Sequence, residues 1–135
     1  MQLTRLIYAS NHGGIKKEAL DDILEESRRN NIRDDITGLL ISSDEDFIQL
    51  IEGGRTVISN CFMRIMQDTR HRYINVLLTQ GVDSRLFPKW SMRNVDVTNL
   101  KKDIIDKYWS KGAFDSQEMA HADIEALFLR FSDVR

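Results

Sequence analysis

The run Phe47-Ile48-Gln49-Leu50-Ile51-Glu52-Gly53 constrains the fold of this chain more than any other stretch. It is apolar, too short for a helix of ordinary length, and bounded by Asp44-Glu45-Asp46 and Gly53-Gly54, the marks of a buried strand. Gln49 sits in its middle. A primary amide has two N–H donors and a carbonyl acceptor, and each left unpaired in a core costs roughly 1–3 kcal/mol. Gln49 therefore requires partners, either neighbouring backbone or a polar group carried by another element.

With 135 residues the chain fits one domain able to bury a core without disulfides or metal. A net charge of −2 gives no basic footprint, so neither nucleic acid nor an anionic membrane is expected as a partner. Cys61 is the single cysteine, which excludes an internal disulfide and a Cys-rich zinc site and suits a reducing compartment. The opening residues are too polar for a signal peptide, and no run approaches the ~20 apolar residues needed to cross a bilayer. The expectation is a soluble cytoplasmic protein. His12, His71 and His121 fall on separate segments without metal-ligand spacing.

Leu3 to Ala9 is rich in β-formers and stops at Asn11-His12-Gly13-Gly14, predicting a strand over 2–10 with Leu6, Tyr8 and Ser10 on one face. Leu20, Ile23, Leu24 and Ser27 recur at helical spacing and predict a helix over 16–29, ending near Asn30-Asn31. Residues 36–42 form a β-hairpin with the opening run, across Asp44-Glu45-Asp46. Val57, Ile58, Cys61, Phe62, Ile65 and Met66 predict a second helix over 56–69. Asn60, Arg64, Asp68 and His71 line one face of it if the helix reaches that far. Strands are predicted over 74–80 and 90–97, on either side of Gly81-Val82-Asp83 and the single proline, Pro88. A third helix capped by Thr98 or Asn99 runs to Trp109, and Asp115 with Glu118 makes a capping-box start for a fourth ending near Arg130.

The order β-α-β-β-α-β-β followed by two helices predicts an α+β fold of the ferredoxin-like kind, a sandwich on a five-stranded mixed sheet. Right-handed crossovers put both early helices on one face and leave the other for the two C-terminal helices. The first and third strands then lie side by side. Tyr8 and Gln49 become neighbours if both point to the face of the early helices.

Several segments together resemble the BLUF family of flavin-binding blue-light sensors, over about residues 2–97. They are Arg5-Leu6-Ile7-Tyr8-Ala9-Ser10, Asn30-Asn31 ahead of Ile36-Thr37-Gly38-Leu39-Leu40, the opening run, Gln67-Asp68-Thr69-Arg70-His71, and Phe87-Pro88-Lys89-Trp90-Ser91-Met92. The resemblance implies a photosensory core over 1–97 with a helical cap over 98–135. It implies FAD as cofactor, with FMN or riboflavin possible in the same pocket, between the two early helices. It assigns Tyr8 as the photoactive tyrosine that passes an electron and then a proton toward excited flavin, and Gln49 as the switching glutamine. Ser27, Asn30, Asn31, Arg64, Asp68, Arg70 and His71 match flavin-contacting positions. Trp90 and Met92 match the pair on the last strand that relays the signal.

The chemistry suits those roles. A phenol beside an amide gives redox reach and a proton path with no nucleophile or metal, and half a turn of the amide, or its imidic tautomer, swaps donor for acceptor at similar shape. Each residue alone has a plainer reading: Tyr8 as a core phenol, Arg64 with Asp68 as an exposed i, i+4 pair, Arg70-His71-Arg72 as a solvated helix end, Met92 as core. Convergence on one groove favours the sensor. The expectation is a stand-alone photoreceptor, not an enzyme, that signals to a separate effector protein or a homo-oligomer. The alternative is a chromophore-free ferredoxin-like interaction module, which would be colourless.

Overall fold

The strand carrying Gln49 is the centre of the sheet. In the computed structural model, which describes residues 2–109, 114 and 119–132, the elements are β1 (Leu3–Asn11), α1 (Lys17–Asp34), β2 (Thr37–Ser42), β3 (Asp46–Gly54), α2 (Arg55–Gln67), β4 (Arg72–Val82), β5 (Arg93–Asp96), a 3₁₀ turn (Val97–Asn99), α3 (Lys102–Tyr108) and α4 (His121–Ser132). The sheet order is β4-β1-β3-β2-β5. β1 is antiparallel to β3 and β4, β2 is antiparallel to β3, and β5 runs parallel to β2, so the sheet is mixed as expected.

Strand alternation splits the core in two. Leu6, Tyr8, Leu40, Phe47 and Ile51 face up into a cluster with Ile23 and Leu24 of α1 and Ile58 and Cys61 of α2. Ile7, Ala9, Leu39, Ile41, Ile48 and Leu50 face down onto Ile104 and Tyr108 of α3 and Ile124, Leu127 and Phe128 of α4. β3 is buried on both faces, which is why it reads as a continuous apolar run rather than an alternating one.

Several boundaries differ from the sequence reading, each for a local reason. The first helix does not stop at Asn30-Asn31 but continues to Asp34. Asn31 is satisfied by a tertiary bond from Nδ2 to the Ser91 carbonyl, 2.7 Å, and Asp35 takes the left-handed capping conformation instead, at φ 55°. The second helix ends at Gln67 because Asp68 turns extended and its Oδ1 accepts the Arg70 N–H, 2.9 Å, offering the backbone a turn in place of helix. Asp68 and His71 are therefore not on its polar stripe. The last strand begins at Arg93, not Trp90: the Trp90 carbonyl accepts from Gly38 N at 2.9 Å, that of Ser91 from Asn31, and that of Met92 from Arg28 Nε at 2.9 Å, so residues 90–92 spend their acceptors outside a regular ladder. Asp96 Oδ1 caps the 3₁₀ turn by accepting from Thr98 N, 2.9 Å, and α3 starts only at Lys102. The expected capping box at Asp115 and Glu118 lies outside the described residues.

Candidate functional site

Tyr8 and Gln49 stand directly opposite in the β1–β3 ladder, both on the upper face. The Tyr8 hydroxyl donates to Gln49 Oε1. Gln49 Nε2 in turn donates to Met92 Sδ, 3.3 Å. The amide that looked stranded in an apolar strand is thus satisfied by side chains from two other segments. Tyr8 is fully buried, against Phe62 at 5.5 Å and His71 at 6.0 Å between ring centroids. Burial pushes its phenol well above the ordinary tyrosine range, with Cys61 and Asp68 adding to the effect, so it stays protonated.

A cleft opens above this line, between α1 and α2. Ser27, Asn30 and Asn31 line it from α1, Gln49 from its floor, Arg64 from α2, and Asp68, Arg70 and His71 from the turn after α2. Ile23, Leu40, Ile51 and Ile65 supply apolar wall. The eight sequence-derived binding candidates therefore share one concavity. Asp68 is bound by Arg70, with Nη2 to Oδ2 at 2.6 Å, and this bond holds the Asp68 carboxyl below its usual range. Arg70 also reaches Glu26 of α1 at 3.2 Å, and Arg64 reaches Asp34 at 3.3 Å, so one ion pair ties α1 to α2 and another ties α1 to the turn after α2. His71 Nδ1 lies 3.0 Å from Ser10 Oγ, and burial lowers its pKa.

Trp90 and Met92 part company. On a strand, residues two apart share a face, but this segment is irregular. Met92 is buried in the upper core beside Gln49. Trp90 packs on the lower core, stacked on Phe87 at 5.4 Å with the Arg93 guanidinium 4.5 Å from its ring centre.

Sequence reasoning missed Arg28, Glu26 and Cys61 as neighbours of the cleft segments, and above all the buried pair Arg5–Glu52, 2.8 Å apart. A signal was present: a glutamate ending a strand buried on both faces requires a cation, and Arg5 shares a face with Ile7 and Ala9. Nothing in the sequence marks Arg85, whose guanidinium holds Thr37 Oγ1 and the Glu52 carbonyl, each at 3.0 Å.

The sequence model of BLUF, described as sensors of blue-light using FAD, matches residues 3–93. The chain belongs to the BLUF family. It is 31% identical over 114 residues to the blue light- and temperature-regulated antirepressor BluF of Escherichia coli (strain K12), a match covering 82% of this chain and 28% of that protein. Its backbone is similar to the photo-activated state of BlsA, with a TM-score of 0.84 at 28% identity over 100% of this chain and 97% of that one. It is similar to the dark-state structure of the BLUF protein BlrB, with a TM-score of 0.74 at 32% identity over 93% and 96% of the two chains. The chain spans 28% or less of the length of the curated relatives it matches.

The BLUF cleft fits a flavin by its donor set. Three amides, Asn30, Asn31 and Gln49, line it, a donor and acceptor set suited to an imide, and aliphatic walls suit a flat ring. The cleft measures about 80 Å³, below the roughly 300–1,000 Å³ of ligand sites, so a flavin-sized ligand needs α1 and α2 to part around it. No helix among the described residues is long and apolar enough to cross a membrane.

Proposed function

We propose that this BLUF domain holds FAD noncovalently between α1 and α2 through Ser27, Asn30, Asn31, Gln49, Arg64, Asp68, Arg70 and His71, and that Tyr8 and Gln49 convert blue light into a change at Met92. The reading is carried by one observation, the continuous line from the Tyr8 hydroxyl through the Gln49 amide to the Met92 sulfur. When bound, the flavin supplies blue-light absorption and, once excited, an oxidant in the cleft. The chain supplies the rest.

Tyr8 is neutral, fully buried and far from bulk water, so loss of an electron from its ring is accompanied by loss of its hydroxyl proton. The hydrogen bond to Gln49 Oε1 is the path on which that proton leaves. Gln49 can answer by rotating half a turn or by adopting its imidic tautomer. Rotation sets Oε1 against the Met92 sulfur, acceptor against acceptor, and the tautomer leaves its nitrogen one hydrogen instead of two. Either change weakens the hold on Met92. The competing arrangements differ by hydrogen bonds of about 1 kcal/mol each, so return in the dark is thermal.

Residues 1–97 act as the sensory core and 98–135 as a helical cap of the same unit, a division supported by the packing of α3 and α4 beneath the sheet. The output passes through the Trp90–Met92 segment to β5 and those helices, and from there to a separate effector protein or a second copy. The domain turns over no substrate and works in the cytoplasm. The test is the visible spectrum of the purified protein before and after blue light. Bound flavin with a reversible red shift is expected; a colourless protein, or flavin without the shift, would sink the proposal.

A further inference from the structure

Glu52 is fully buried, and the photochemistry above makes no use of it. Its Oε2 accepts from Arg5 Nε at 2.8 Å, while Oε1 accepts the backbone N–H of Leu86 at 2.8 Å and of Phe87 at 3.4 Å. Beside it Arg85 donates to the Glu52 carbonyl at 3.0 Å and to the Asp35 carbonyl at 2.8 Å. The start of the segment that leads to Trp90 and Met92 is therefore bound to the central strand by charged groups. Its far end is held differently. Met92 Sδ takes a weak N–H···S bond from Gln49, while the carbonyls of Trp90, Ser91 and Met92 accept from Gly38 N, Asn31 Nδ2 and Arg28 Nε; Gln49 and Asn31 both line the cleft. One strand thus grips the two ends of one segment, Glu52 from the lower face and Gln49 from the upper.

We infer that Glu52, through Arg5 and together with Arg85, is the fixed anchor that makes the Gln49 rearrangement displace Trp90 and Arg93. The inference rests on the photoreceptor reading and makes Glu52 a positioning residue for output. When Gln49 releases Met92, a segment pinned at Leu86-Phe87 yields at its other end, where Trp90, stacked on the fixed Phe87 ring, has the Arg93 guanidinium over its ring and β5 begins beside β2. With the anchor gone, the same release is taken up by slippage at Leu86-Phe87, and Trp90 stays where it was. The charge is essential to the grip. In Glu52→Gln one amide oxygen still faces Leu86, but an NH₂ group then faces the Arg5 N–H, donor against donor.

The experiment uses the flavin-loaded full chain labelled with 5-fluorotryptophan, with the Trp90 ¹⁹F resonance assigned by Trp109→Phe. Spectra are recorded in darkness and under blue light for wild type, Glu52→Gln and Arg85→Met, together with the flavin absorbance shift and amide exchange. The wild type is expected to show the flavin shift and a light–dark displacement of the Trp90 resonance. In both variants the flavin shift stays, exchange at Leu86 and Phe87 accelerates about tenfold in the dark, and the Trp90 displacement shrinks at least about twofold. A purely structural role would lower stability and speed exchange while leaving that displacement intact, and this result overturns the inference. So does loss of the flavin shift itself in Glu52→Gln, or a wild type whose Trp90 does not respond to light. If Glu52→Gln does not fold, Arg85→Met decides alone. A wild type without any flavin shift overturns the photoreceptor reading, and the anchor with it.

Discussion

The Tyr8–Gln49 bond predicts a strong energetic coupling that is measurable without light or ligand. Tyr8→Phe removes the hydroxyl from a fully buried ring and leaves Gln49 Oε1 without its donor. A buried acceptor stripped of its partner costs about 1–3 kcal/mol. Gln49→Leu does the reverse, leaving the Tyr8 hydroxyl bare at about the same cost and freeing the Met92 sulfur, which tolerates an apolar neighbour. The double variant replaces both polar partners by apolar groups of similar shape, which is nearly neutral. The two single losses therefore do not add, and the interaction energy in the cycle has a magnitude of about 2–6 kcal/mol, the sum of the two single costs. Urea unfolding of the flavin-free chain, with equal m values across the four proteins, measures it. A double variant as unstable as the sum of the singles would refute the bond as the partner that makes Gln49 tolerable in this core.

Other outcomes follow from the same geometry. Gly38→Ala places a methyl onto the Leu50 carbonyl oxygen and 3.1 Å from the Met92 methyl, so it should cost at least about 1–3 kcal/mol in thermal unfolding; an unchanged melting temperature would contradict the close approach of β2 to β3. Burial holds His71 below the ordinary value of 6.5. As pH falls below about 6.5 the unfolded chain binds a proton that the folded chain resists, so stability drops until the depressed folded pKa is passed, then levels off. Urea midpoints on either side of that range should differ more in wild type than in His71→Phe, and equal differences would remove His71 from the effect. Met92→Leu conserves volume and should cost less than about 1.5 kcal/mol, yet it removes the acceptor for Gln49 Nε2; dark recovery followed by flavin absorbance should change, and an unaltered rate would separate Met92 from the switch.

Much of the fold is written in short-range pattern. The run from Phe47 to Gly53, the hairpin before it and the helical spacing around Ile23 and Ile58 are local periodicities, and they lead to the observed element order without tertiary knowledge. The eight candidate residues of the cleft were legible only through the resemblance to BLUF; taken singly, each had an ordinary structural reading. The boundaries that moved are those where a distant partner outweighed local preference. Asn31 did not end its helix because Ser91, sixty residues away, satisfied its amide.

What the sequence determined by itself was that Gln49 lay in a core strand and needed partners, because desolvating an amide is costly whatever surrounds it. Which partners it found was a matter of register: Tyr8 opposite Gln49, Arg5 opposite Glu52, in the same ladder. The tertiary structure alone decided that Met92 turned up to the amide while Trp90 turned down onto Phe87 and under Arg93. No spacing could state this, because residues 90–92 gave their backbone carbonyls to Gly38, Asn31 and Arg28, and a segment released from the ladder does not alternate its side chains.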